Sequence, residues 1–204
     1  MLALAPGFAR PADAAEPDGA EARRVVQAVS DRALAILRRP DKTGREAAFL
    51  QMFRDDFATA AIGRFVLGTY RANVTPEQFT RYMSVFETLV SKTTAARLRD
   101  YAGETLEIST ARAEGGRWVV TSRVTPKARE PVRIDWVVAP SKAGLKVVDL
   151  RVENLSLAIT ERDEFAAVLQ QNNGDIDKLI TFMQDKIKKL DAGEPGASAP
   201  ARPR

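Results

Sequence analysis

The sequence predicts an α+β fold: a four-stranded antiparallel meander sheet covered on one face by helices. Three observations carry this. Apolar residues recur at helical steps of three and four through the first half of the chain. The period changes to two between residues 104 and 153, over four runs separated by short turns. Helical spacing then returns to residue 190. Helices, then strands, then helices is the order of an α+β domain rather than of alternating α/β units.

Residues 18–38 place Val25, Val26, Val29, Ala33, Ile36 and Leu37 near one helical face. Pro40 to Gly44 breaks the pattern. Residues 45–57 present Phe49, Leu50, Phe53 and Phe57, and a shorter helix at 58–68 carries Ile62, Phe65, Val66 and Leu67. The best-marked helix starts at Thr75. Thr75 suits the N-cap, Pro76 the first helical position, and Gln78 completes a capping box, with Val74 and Phe79 placed as a hydrophobic staple. Its apolar positions run Phe79, Tyr82, Met83, Phe86, Leu89 and Val90, and the helix is expected to extend towards Tyr101 and stop at Gly103.

The strands are expected at 104–111, 117–125, 131–139 and 145–153. Glu114-Gly115-Gly116 and Pro140 to Gly144 form turns. Val120, Trp136, Val138, Val148 and Leu150 alternate on an apolar side, with Arg133 and Asp135 opposite. Such a sheet has one face for helices and one mixed face. Thr160 is expected to cap a helix over 161–171, with Glu161, Asp163 and Glu164 serving its N-terminus electrostatically. Asn172-Asn173-Gly174 closes that helix. Asp175 caps the last one, whose inward face is Ile176, Leu179, Ile180, Met183, Ile187 and Leu190.

Residues 1–15 read as the tail of a secretory signal peptide, with Ala12-Asp13-Ala14 as an A-x-A cleavage pattern. Residues 16–190 form the folded domain. Residues 191–204, rich in Pro, Ala and Gly, are expected to be a disordered tail. No apolar run reaches the roughly 20 residues of a membrane-spanning helix. The absence of cysteine and histidine excludes thiol catalysis, a Ser-His-Asp triad and His-ligated metals and leaves only carboxylate chemistry open to an enzyme; the expectation is of no catalytic, metal or cofactor site. The net charge of +4 is dispersed, without the basic stripe of a nucleic-acid binder.

Several blocks together resemble the MlaC, or toluene-tolerance, family of auxiliary transport proteins. They are Val66-Leu67-Gly68, Tyr70-Arg71, Thr75-Pro76-Glu77-Gln78 and Tyr101-Ala102-Gly103-Glu104, then EPVRIDWVV and LKVVDLRVENLSLAITERDEF, and finally Gly174 to Ile187. Asn154 stands where the family often has glycine, and asparagine tolerates positive φ. The resemblance covers roughly residues 45–190. It implies a periplasmic carrier of phospholipid, with a hopanoid as the variant cargo. Its implied partners are an inner-membrane ABC transporter complex with an MCE domain and an outer-membrane lipoprotein complex, and its implied role is in outer-membrane lipid asymmetry. ATP hydrolysis would belong to the transporter, in keeping with the lack of a phosphate-binding P-loop here.

Under that expectation an acyl chain lies between helices and sheet. Phe65, Val66, Leu67, Phe79, Tyr82, Met83 and Phe86 are the candidate helical wall. Val120, Trp136, Val138, Val148, Leu150, Leu155 and Leu157 are the candidate sheet wall, and Tyr70 and Arg71 the candidate mouth, where arginine can pair with phosphate. The same stripes are what a filled core requires. Two other readings stay open: a non-transporting adaptor of a membrane complex, which needs no cavity, and a cone-fold enzyme with Asp135 or Asp149 as a buried base.

Overall fold

The computed structural model describes residues 19–98, 105–125 and 130–194. Its elements are α1 (Gly19–Leu37), α2 (Lys42–Asp56), α3 (Thr59–Val66), a 3-10 segment (Gly68–Asn73), α4 (Pro76–Arg97), β1 (Thr105–Glu114), β2 (Arg117–Thr125), β3 (Val132–Ser141), β4 (Gly144–Val152), β5 (Leu155–Ser156), α5 (Leu157–Gln171) and α6 (Ile176–Ala192). The strands lie in sequence order, each antiparallel to the next. The expected meander is therefore present, with a fifth, two-residue strand added at its end. The expected signal-peptide tail, the motif at Tyr101 to Glu104 and most of the C-terminal tail lie outside the described residues.

Local chemistry sets the helix ends. Thr75 and Gln78 form the reciprocal capping box: the Gln78 amide donates to Thr75 Oγ1 at 3.2 Å, and the Thr75 amide donates to Gln78 Oε1 at 3.1 Å. Asp175 accepts the Asp177 and Lys178 amides, and Gly193 closes α6 in the left-handed region at φ 70°. Asn154 does adopt positive φ, at 67°, in the turn from β4 to β5.

The start of α5 departs from the expected Thr160 cap. Ser156 caps it four residues earlier, its Oγ accepting the Ile159 amide at 3.0 Å. The Asp149 carboxylate accepts the Ala158 amide at 3.1 Å from across the sheet edge. Two of the free N–H groups of the first turn are thus satisfied, one of them by a tertiary contact. Glu161, Asp163 and Glu164 consequently all stand beyond the first turn, which is where the helix dipole acts strongly, so the electrostatic role expected of them at the helix N-terminus does not hold.

The sheet's outer face carries charge. Asp135 is 3% exposed and accepts hydrogen bonds from Thr121 Oγ1 (2.6 Å) and Arg133 (2.8 Å and 3.1 Å). Arg112 and Arg151 continue the lattice through Glu114. Val119 and Val137 pair across β2 and β3 on this face, with Arg112 and Asp149 as their outer cross-strand neighbours, and are nonetheless buried. Long charged side chains cover apolar surface with their stems.

The core is in two parts. One cluster joins α3, α4, α5 and α6 around Tyr82, Phe86, Phe165, Leu179 and Met183. Tyr82 stacks on Phe86 at 5.6 Å, and both meet Phe165 edge-on. The second joins α1 and α2 to the inner sheet face through Val26, Phe49, Val120, Trp136 and Val138. A domain of this size usually has one contiguous core. Here two clusters meet at Phe53 and Phe57, whose rings lie 5.2 Å apart.

Candidate functional site: a cavity between two cores

A cavity of about 340 Å³ lies along that seam. The helical cluster contributes Phe53, Ile62, Val66, Phe86 and Leu89. The sheet cluster contributes Phe49, Met52 and Trp136. Ala33, Leu34 and Leu37 of α1 close one side, and Leu106, Val124, Ile134 and Leu150 form the sheet floor. Trp136 is fixed by its indole N–H, which donates to Ser122 Oγ at 2.9 Å. The β3–β4 register slips between Val137 and Val138, which leaves Val148 as the bulged residue beside the cavity.

Of the sixteen residues expected at the site, Val66, Phe86, Trp136, Val148, Leu150 and Leu157 line the cavity. Leu67 and Tyr82 lie in the helical cluster, with Tyr70, Phe79 and Met83 packed against it. The Tyr82 hydroxyl donates to the Gly63 carbonyl at 3.1 Å. Val120 and Val138 lie wholly buried in the sheet cluster. Phe65 is 42% exposed under the Arg162 guanidinium, Leu155 is 39% exposed on β5, and Arg71 faces solvent away from the cavity lining. On the expected helical stripe, Leu67, Phe79, Tyr82 and Met83 thus serve as filled core, and Val66 and Phe86 border the gap.

Sequence reasoning missed the α1 wall, the second half of α4 and Glu161. Helical spacing identified α1 as amphipathic but carried nothing about which helix lies across the sheet.

Few polar groups line the cavity. Ser30 Oγ is buried and has no hydrogen-bond partner among the described residues. The ionisable groups of the lining are Arg97, Asp149 and Glu161. Burial pushes the Glu161 carboxyl above the usual carboxylate range; Glu164 adds to this, while Lys186 and Arg97 oppose it. Arg97 keeps solvent contact at the end of α4, yet the protein around its guanidinium lowers its pKa, against the pull of Glu161 and Glu164.

Neither carboxylate of the enzyme reading is placed as a cavity base. Asp135 lies on the outer face, where Thr121, Arg133 and Arg112 hold its pKa below the usual value despite burial. Asp149 caps α5. Among the described residues no cluster of acidic, histidine or cysteine side chains could hold a metal, and no helix is long and apolar enough to cross a membrane.

A family model described as MlaC protein matches residues 27–185. The toluene tolerance protein ttg2D of Pseudomonas putida is 25% identical over 121 residues, which are 59% of this chain, and the chain spans 56% of that protein's length. The phospholipid-binding protein from Ralstonia solanacearum, whose structure is a complex with a phospholipid, superposes with a TM-score of 0.73 at 26% identity, covering 83% of this chain and 98% of that one.

Proposed function

Since the chain belongs to the MlaC family, we propose that it is a periplasmic lipid carrier that holds an acyl chain in the cavity between its two cores. It would shuttle phospholipid between outer and inner membranes as the soluble component of an MCE-type ABC transport system. The observation that carries this is the apolar seam itself, in a fold shared with a protein solved in complex with a phospholipid.

A cavity of about 150 Å³ holds one benzene, about 25 Å³ per carbon, so this one has room for about fourteen carbons of one chain. Moving that many methylenes into water costs on the order of 10 kcal/mol, at about 0.8 kcal/mol each. A protein that offers the chain an apolar wall throughout removes most of this cost. Exchange with a membrane then comes close to balance, as a shuttle requires.

The adaptor reading needs no cavity, and the seam weighs against it. The enzyme reading would now rest on Glu161, but the largely apolar lining of the cavity offers little to orient a reacting group.

Native mass spectrometry of the chain purified from a bacterial periplasm without detergent tests the proposal. A stoichiometric adduct that extracts as a phospholipid or hopanoid is the expected result. A bare mass, unchanged after incubation with lipid vesicles, would overturn it.

A further inference from the structure

Ser30 is the exception among the buried polar side chains of the described residues. It is 1% exposed, and its hydroxyl has no hydrogen-bond partner there. The others are engaged. Ser91 donates to the Thr88 carbonyl and Thr121 to Asp135, while Ser122 accepts the Trp136 indole N–H and Ser156 the Ile159 amide. A helical hydroxyl commonly turns back on the carbonyl four residues earlier. Thr80, Thr88, Thr94, Thr160 and Thr181 all do so. Ser30 makes no such bond to Val26. A buried hydroxyl left unpaired costs stability, so its presence calls for a reason.

Its position supplies one. Ser30 lines the cavity and shares a face of α1 with Ala33, Leu34 and Leu37. Those three are partly exposed and Ser30 is closed off, so the hydroxyl stands at the inner end of that wall. Leu37 lies about 10 Å further along the helix, at 1.5 Å per residue. With no bond to hold it, the hydroxyl turns freely between staggered positions toward an occupant of the cavity. Water is a poor occupant. A buried water makes about three hydrogen bonds, and Ser91 and Thr94 of the same lining have given their protons to their own helix. A cargo that brings an oxygen of its own satisfies the group directly. That oxygen is uncharged, because a phosphate would have to leave water to reach this depth.

Resting on the carrier reading above, we propose that Ser30 is a specificity-determining residue whose hydroxyl donates to an uncharged oxygen that the cargo carries into the cavity. An ester carbonyl at the head of an acyl chain and a hydroxyl along the chain both offer that acceptor. Plain hydrocarbon at the same level leaves Ser30 unpaired.

Displacement of a fluorescent fatty-acyl probe from the full chain tests this in two arms. One arm compares a diacyl phosphatidylcholine with its dialkyl ether analogue, which lacks the carbonyls. The other compares stearic acid with positional isomers of hydroxystearic acid. In at least one arm the oxygen-bearing competitor should bind about tenfold more tightly, equivalent to about 1.4 kcal/mol, and the arm that responds identifies the source of the oxygen. Ser30→Ala should abolish that preference while melting no lower than the wild type, a combination that a purely structural serine would not give. Equal affinities in both arms for the wild-type chain, which need no variant, would overturn the proposal, as would a folded Ser30→Ala with its preference unchanged. A wild-type chain that binds neither the probe nor any competitor would overturn the carrier reading itself, so the two failures are distinguishable.

Discussion

Ala33 lies on the α1 wall of the cavity. Substituting Ala33→Phe adds one phenyl ring, and a benzene fills about 150 Å³, close to half of the 340 Å³ present. About six carbons of cargo lose their place, worth on the order of 5 kcal/mol at about 0.8 kcal/mol per methylene. That corresponds to a fall in acyl-chain affinity of about three and a half decades. A chain that reroutes partly into solvent recovers some of this, so a loss beyond about tenfold, or 1.4 kcal/mol, is the threshold that decides the matter. Stability should move little: burying the ring contributes about 1.5–3 kcal/mol, and any overpacking costs about 1–3 kcal/mol. The assay is displacement of a fluorescent fatty-acyl probe, with a thermal melt on the same sample. Ala35→Phe, on the exposed side of the same helix, is the control and should bind as the wild type does. An Ala33→Phe chain that melts normally and still binds the probe at full affinity would refute the placement of the cargo between α1 and the sheet.

Three further outcomes are expected. Ser30→Ala removes a buried hydroxyl without a partner among the described residues and should raise stability by about 1 kcal/mol, visible in a urea melt; a loss of stability would mean that the hydroxyl finds a partner. Asp135→Asn should cost about 1–3 kcal/mol at neutral pH. Because its folded pKa is depressed, the wild-type contribution is fully present above the unfolded carboxylate value and is lost as pH falls through the folded one, so the variant's stability should decline less steeply below about pH 4. Asn154→Ala places a β-carbon without a polar side chain at φ 67° and should cost about 1 kcal/mol, while Asn154→Gly should be near neutral, both read from chemical denaturation.

The parts of the fold legible in the sequence were those decided locally. The Thr75–Gln78 box, the Asp175 cap and the strand limits at Arg117 and Thr125 each depend on residues within a few positions of one another. The α5 start was not legible in the same way, because half of its capping comes from Asp149 on another element, and that four-residue displacement hid Glu161. The bulge at Val148 shifted the β4 face by an amount no alternation reveals. Most of all, an apolar stripe has the same spacing whether its residues touch a neighbour or border a gap. Phe86 does both, and Phe79 and Met83, on the same helix, only pack.

The two aromatic and aliphatic clusters each keep their own internal contacts, and the Phe53–Phe57 ring pair is where they join. Separating them by an ångström or two would break neither, since dispersion contacts are lost only along the plane that parts. The packing of α2 on α4, with the Arg54–Glu87 and Lys92–Glu46 ion pairs, also fastens the two halves, so a cargo thicker than a single chain would strain that seam before it disturbed the packing inside either cluster.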